Sequence, residues 1–135
     1  MQNPETITVT EQDHQRLRAL AAHYADIDAT AAELLDEELD RANIVPATAV
    51  ETSRVTMNSR VTVRMDGGKV RDLELVYPRR ADASLGRVSV LAPLGRALLG
   101  AAVGDDITVR AGGRTTTWRI EAIHYQPEAA GDYEL

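Results

Sequence analysis

The sequence predicts an α+β fold: a short N-terminal antiparallel helical hairpin (a coiled coil), followed by an antiparallel sheet that wraps one short helix. Hydrophobic residues recur with helical spacing in the first third of the chain and alternate with polar residues after about residue 54. The charge changes at the same place. Residues 1–53 carry eleven Asp and Glu against three Arg, whereas residues 54–135 carry ten against eleven Arg and one Lys. We therefore expect an arm at residues 1–48 and a body at residues 49–135.

The predicted arm contains two amphipathic helices. Thr10 is a favourable N-cap for the first helix, with Asp13 three residues later, and an apolar face then extends to Tyr24. A capping box from Thr30 to Glu33 predicts the start of the second helix, which ends near residue 43. Because about five residues join the helices, they should form an antiparallel hairpin that projects roughly 20 Å.

Short strands and one helix make up the predicted body. Pro93 suits the first turn of a short helix within residues 89–105, and Gly100 should end that helix in the left-handed conformation. The apolar density of this stretch predicts that the helix plugs a curved sheet, with Trp118 in the core. In the arm, a short strand at 7–9 precedes the first helix. The expected strands of the body are 55–65 with a bulge near 58–59, 70–77 after a turn at 66–68, 89–91, 107–110 and 115–124.

Composition excludes several classes of function. The chain has no cysteine, which rules out disulfides, thiolate zinc sites and cysteine nucleophiles. No metal-ligand spacing connects the three histidines, so we predict no metal site among them. We also predict no cofactor and no catalytic residue. The net charge of −6 argues against direct, sequence-specific binding to DNA. The sequence shows neither a secretory signal nor an apolar run of about 20 residues, so we expect a cytoplasmic protein without a membrane span. We also expect a monomer.

Four motifs resemble a known bacterial family. They are VTMNSRV at 55–61, LVYP at 75–78, SVLAPLGRALLGAAVGDDI at 89–107 and YQPEAAGDY at 125–133. They are similar to the family called regulator of nucleoside diphosphate kinase, which is related to the Gre transcript-cleavage factors. The resemblance implies that the body, from about residue 50, has an FKBP-like fold. It also implies that the hairpin is a shortened form of the Gre coiled coil.

The same resemblance implies a partner. Gre factors grip RNA polymerase with the body at the rim of the secondary channel, and their coiled coil enters that channel. Two acidic residues at the Gre tip hold a catalytic Mg²⁺ and stimulate hydrolysis of backtracked RNA. This family is taken to bind at the same place and to compete with Gre-type factors. Since the arm here is about half as long as a Gre arm, we expect no transcript cleavage and no enzyme activity.

The candidate partner-binding residues fall into three groups. Asp26 and Asp28 lie at the predicted hairpin tip, and Glu37 represents the acidic face of the second helix, where charge would steer a partner. The corner Leu91-Ala92-Pro93 replaces the polar pair that Gre proteins carry before the matching proline, so this contact should be more apolar.

Each of these groups has a plainer alternative. One of the two tip aspartates would cap the second helix while the other is a solvated turn residue, the acidic face would only be solvated, and the corner leucine would belong to the core. The alternative function is Mg²⁺-dependent stimulation of cleavage through Asp26 and Asp28. A prolyl isomerase would need an aromatic pocket, and the chain has no Phe. Direct regulation of nucleoside diphosphate kinase through phosphate chemistry is not supported, because the sequence contains no P-loop.

Overall fold

The computed structural model describes residues 7–135 and contains a helical hairpin joined to a five-stranded sheet. The hairpin consists of β1 (Thr8–Thr10), α1 (Glu11–Tyr24), α2 (Ala29–Asp40) and β2 (Asn43–Val45). The body contains β3 (Arg60–Met65), β4 (Val70–Val76), β5 (Arg87–Ser89), α3 (Pro93–Leu98), β6 (Asp106–Ala111), β7 (Arg114–Tyr125) and α4 (Pro127–Ala130). Single 3₁₀ turns occur at Ala47–Ala49, Pro78–Arg80 and Ala83–Leu85. Within residues 7–135, no helix is both long and apolar enough for a bilayer.

The hairpin helices begin at different kinds of cap. The Thr10 hydroxyl accepts a hydrogen bond from the Asp13 N–H at 3.1 Å, which confirms the predicted start of α1. The predicted start of α2 at a Thr30 capping box is wrong. The N-cap of α2 is Asp28, whose carboxylate accepts a hydrogen bond from the Ala31 N–H at 3.2 Å. Aspartate is at least as good an N-cap as threonine, and this aspartate comes first, so Thr30 is already inside the helix. The helices meet along buried small and aliphatic residues: Leu17, Ala21, Ala32, Leu35 and Leu39.

The sheet of the body is mixed, which corrects the prediction of an antiparallel sheet. Its strand order is β5-β4-β3-β7-β6, and β4 pairs with β5 in parallel, Leu75 opposite Val88. The ten residues between these strands carry the chain back alongside β4, so β5 runs in the same direction. The other pairs in this sheet are antiparallel. At the base of the arm, β1 and β2 form a separate parallel pair.

A turn replaces the start of the predicted strand at 55–65. Thr56 and Ser59 bond to each other through main chain and side chain, and Asn58 between them has a φ of +67°. An asparagine tolerates this left-handed conformation better than most residues, so the chain reverses here instead of extending. The pairing of β3 with β7 is irregular just after this turn, between Arg60 and Val61 and between Thr62 and Val63.

One hydrophobic core runs from the arm into the body. It includes Leu17 and Leu35 of the hairpin together with Leu98 of α3 and Trp118 of β7, so the predicted core position of Trp118 is confirmed. Gly100 has a φ of +75° and ends α3 as predicted. A Cβ on it would lie 2.6 Å from the Ile7 Cβ, so glycine is what lets β1 approach the body this closely. The base of the arm is therefore packed onto the body.

Candidate protein-docking site

The hairpin tip presents two carboxylates on either side of an apolar side chain. Asp26 is exposed, and Asp28, also exposed, spends one carboxylate oxygen on the α2 cap. The Asp28 N–H in turn donates to the Tyr24 carbonyl at 2.8 Å, which fixes the turn. Ile27 between them is 64% exposed, the largest exposure among the large apolar residues described as exposed. Sequence reasoning missed Ile27, although an isoleucine in a short turn between two helices has no core to enter.

The tip carboxylates are not part of a preformed metal site. Among residues 7–135, no three His, Asp or Glu side chains converge in an arrangement that could hold a metal ion. Mg²⁺ bound by one or two carboxylates keeps waters or takes substrate phosphates in the rest of its octahedral shell, so the tip acids alone would form at most an open site.

The acidic face of α2 is partly neutralised within the hairpin. Arg18 of α1 donates to Asp36 at 2.8 Å and also to Asp40, and these two contacts raise the pKa of its guanidinium. Glu38 pairs with Arg41 at 2.7 Å. Glu37 is exposed and forms no ion pair or hydrogen bond with the residues the structure describes. Of the acidic residues on this helix, Glu37 is therefore well placed to meet a basic partner.

The corner at Leu91, Ala92 and Pro93 is a tight, half-buried apolar turn between β5 and α3. The Leu91 N–H donates to the Ser89 hydroxyl at 3.1 Å, and the Ala92 N–H donates to the Ser89 carbonyl at 3.0 Å. Pro93 occupies the first helical position, and Ala92, as N-cap, has no side chain to cap it. Leu91 packs partly against the core, so the alternative that this leucine is a core residue is correct in part. The rest of its surface remains accessible.

A buried glycine fixes this corner against the sheet. A Cβ on Gly95 would lie 1.9 Å from the Ser89 carbonyl oxygen and 2.7 Å from its carbon, a separation that no side chain can occupy. The first turn of α3 therefore lies directly against the end of β5. Because the backbone of Gly95 lies against the backbone of Ser89, the corner can shift only if the helix or the strand moves as well.

Arg96 lies at this corner, within electrostatic range of the arm, and sequence reasoning missed it. Its guanidinium donates to the Leu91 carbonyl. Burial lowers the pKa of Arg96, while the carboxylates of Asp28 and Glu38 act in the opposite direction. The structure thus brings one tip aspartate into electrostatic range of the corner. Asp26 and Glu37 form no contact of this kind with it in the described chain. The sequence signal for Arg96 was the presence of one arginine inside the apolar run PLGRALL.

Asp13 joins the arm to the body from a buried position. Its side chain is 2% exposed and accepts the Met57 N–H at 3.1 Å, 44 residues along the chain. Burial, together with the charge of nearby Glu128, raises the pKa of this carboxyl from 3.8 to about 6. The sequence interpretation treated Asp13 as a capping partner. Its position four residues before Leu17, on the apolar face of α1, was the signal for burial.

Comparison with known proteins defines the class of this two-part fold. Residues 50–125 match the family model described as "Transcription elongation factor, GreA/GreB, C-term", and residues 5–45 match the one described as "Rnk N-terminus". A solved structure, "Prokaryotic transcription elongation factor GreA/GreB from Nitrosomonas europaea", is 36% identical and has a TM-score of 0.75. The match covers 88% of this chain and 99% of that one. The body is therefore a Gre-type C-terminal domain.

Curated relatives identify the family within that class. The "Regulator of nucleoside diphosphate kinase" of Escherichia coli (strain K12) is 42% identical over 132 residues, which cover 96% of this chain and 97% of that protein. "Transcription elongation factor GreA" of Chlorobaculum parvum is 36% identical over 77 residues, which cover 56% of this chain and 48% of that protein. The chain belongs to the family of the regulator of nucleoside diphosphate kinase, as the four motifs indicate.

Proposed function

We propose that this chain is a transcription regulator that binds RNA polymerase at the rim of the secondary channel and competes there with Gre-type factors. The observation that carries the proposal is the Gre-type body, matched over residues 50–125 and in a solved structure at 36% identity. The half-buried corner Leu91-Ala92-Pro93 is its docking edge. An apolar contact there would supply affinity, because it removes apolar surface from water. The exposed acids Asp26, Asp28 and Glu37 would orient the arm against a basic channel wall.

The proposed regulator does not cleave RNA and is not an enzyme. The longer arm helix has 14 residues, which corresponds to about 21 Å, and its base is packed onto the body. Less than that length is therefore free to enter a channel. In addition, the Asp28 carboxylate already caps α2, so of the two tip acids Asp26 is the one that does not stabilise the helix.

The proposal also covers the fold class of the body, the domain boundary, the oligomeric state and the location of the protein. We assign the body, with its curved sheet around α3, to the FKBP-like class, and we place the boundary between arm and body at 48/49. The regulator acts as a monomer in the bacterial cytoplasm and binds no specific DNA sequence. Any effect on nucleoside diphosphate kinase then arises through transcription of its gene.

The test is binding of the intact protein to immobilised core RNA polymerase, followed by competition with a GreA protein. Ala92→Asp is the informative variant, because aspartate is a better N-cap than alanine and should preserve or improve folding while it makes the corner charged. We expect about a tenfold loss of affinity, which corresponds to about 1.4 kcal/mol. Ala111→Asp adds the same charge at an exposed position on β6, the edge strand farthest from β5, and should leave binding unchanged.

Three results would contradict the proposal. Failure of the intact protein to bind polymerase removes it altogether, and binding without competition from GreA removes the shared site. Equal effects of Ala92→Asp and Ala111→Asp would remove the corner as the docking edge. RNA cleavage in stalled complexes supplied with Mg²⁺, lost on Asp26→Ala, would instead establish the alternative function of a cleavage stimulator.

A further inference from the structure

A basic groove separates the arm from the body, away from the docking corner. It has a volume of about 650 Å³ and lies between α1 and the turn Pro78–Arg80. Its apolar surfaces come from Leu20, Tyr24 and Tyr77. None of the three corner residues and neither tip aspartate lines it. A cleft of this size between two structural units, with apolar walls and a few polar groups, is typical of a binding site.

Three arginines concentrate positive charge at this groove, although the protein carries a net charge of −6. Arg79 is exposed and forms no hydrogen bond or ion pair with the described residues. Arg80 is exposed and donates to the Asn58 side chain at 3.1 Å and, more weakly, to Glu74 at 3.4 Å. Burial raises the pKa of the Tyr77 phenol, so Tyr77 adds no negative charge to the groove. The groove therefore favours an anionic ligand.

A segment of the chain itself shows how a peptide backbone fits here. Arg16 donates to the main-chain oxygen of Leu135 at 2.7 Å and to that of Glu134 at 3.4 Å. Both acceptors are backbone atoms, so this contact is independent of the side chains of the segment. Tyr133 and Leu135 remain 44% and 47% exposed, which means that the segment buries little apolar surface. Such a contact opens at low cost in free energy.

We propose that this groove is a docking site for an extended acidic peptide segment of a partner protein, which displaces residues 133–135. Arg79 and Arg80 bind the carboxylates of the incoming segment, for which the planar guanidinium is well suited. Arg16 transfers from the chain's own carbonyls to those of the partner. An aliphatic or aromatic side chain of the partner then occupies the wall formed by Leu20, Tyr24 and Tyr77. This site does not depend on polymerase binding at the corner.

The test uses the intact protein and a fluorescein-labelled peptide with the sequence GDYEL, which is that of residues 131–135. We expect saturable binding by fluorescence anisotropy with a Kd on the order of 100 µM. The peptide GNYQL, which lacks both side-chain carboxylates, should bind about fivefold more weakly or worse. Amide NMR signals of Glu134 and Leu135 should move towards those of an unstructured peptide, because the bound peptide replaces them.

Arg79→Ala is the critical variant, since Arg79 has no partner whose loss would affect folding within the described chain. It should weaken peptide binding about fivefold. Arg114→Ala removes the same charge at an exposed hairpin turn on the sheet and should have no effect.

Equal losses in the two variants would show non-specific attraction and overturn the proposal, as would the absence of saturation at about 1 mM peptide. Unchanged Glu134 and Leu135 signals in the bound state would refute the displacement. A single-stranded RNA of equal charge that binds more tightly, and does so through Arg79, would overturn the peptide as the ligand. No polymerase is present, so failure here leaves the proposed function intact.

Discussion

Replacement of Asp13 by asparagine should change how the stability of the protein depends on pH. Asp13 is 2% exposed, lies at the joint between arm and body, and accepts the Met57 N–H. Groups that face it are Glu128 of α4, Arg16 of its own helix, the Tyr77 phenol and the Thr10 hydroxyl. Asparagine has nearly the same shape and can still accept the Met57 N–H, but it carries no charge at any pH.

The magnitude follows from the pKa of this carboxyl, which burial raises from 3.8 to about 6. A shift of about two pKa units corresponds to about 3 kcal/mol. Between these two values the folded protein binds a proton that the unfolded chain has released, so protonation favours the folded state. The free energy of unfolding contributed by Asp13 is therefore greatest below about pH 4. It falls by about 3 kcal/mol as the pH rises through 6.

Urea unfolding of both proteins between about pH 4 and pH 8 measures this effect. Titration of the other groups is common to both proteins, so the difference between their unfolding free energies isolates Asp13. The Asp13→Asn variant should gain about 3 kcal/mol relative to the parent over this range. Asp106→Asn is the control, because two hydrogen bonds from Arg119 lower the pKa of Asp106 and any change should have the opposite sign. A difference that stays constant with pH would refute the buried, raised-pKa description of Asp13.

Three further predictions concern the corner and the tip. Gly95→Ala should lower the free energy of unfolding by about 3 kcal/mol or more, because its Cβ would lie 1.9 Å from the Ser89 carbonyl oxygen. Gly104→Ala has open space and a φ of +93°, so it should cost only about 1–2 kcal/mol; equal thermal shifts would contradict the contact. Asp28→Ala should lower the unfolding free energy by about 1 kcal/mol through loss of the cap, whereas Asp28→Asn should keep it; equal urea midpoints would dismiss the cap. Arg96→Ala should speed amide hydrogen exchange at the corner about tenfold and leave β7 unchanged; unaltered exchange there would show that Arg96 does not hold the corner.

Elements with local signals could be predicted from the sequence. The N-cap at Thr10 and the helical period place α1 within its observed bounds. The glycines at 67 and 68 have positive φ and mark the β3–β4 turn, and Pro93 and Gly100 bracket α3. In each case the residue type acts on its own backbone, so the neighbouring sequence is sufficient. The hairpin tip and the corner were found for the same reason.

Features that depend on distant residues could not be predicted in this way. The direction of β5 relative to β4 is set by the path of the ten residues between them, which no strand pattern encodes. The alternation of Val55 and Met57 resembles a strand, but both are buried in a turn that bonds between Thr56 and Ser59 create. The Arg96 link and the groove likewise arise where separate segments meet.

The attachment of the arm decides how the two parts of the proposed site can act together. The Thr8 N–H donates to the Gly100 carbonyl at 3.3 Å, and Asp13 accepts from Met57, so hydrogen bonds at buried residues tie the arm to the body just before its first helix and in the first turn of that helix. A swing of the arm would leave these polar groups buried without partners, which costs about 1–3 kcal/mol for each. The arm therefore keeps one orientation, and docking of the corner delivers the tip to one place on the partner. In this arrangement the reach of the tip acids is set by the rigid joint at Asp13 and Gly100, so lengthening the linker at residues 46–53 should not extend it.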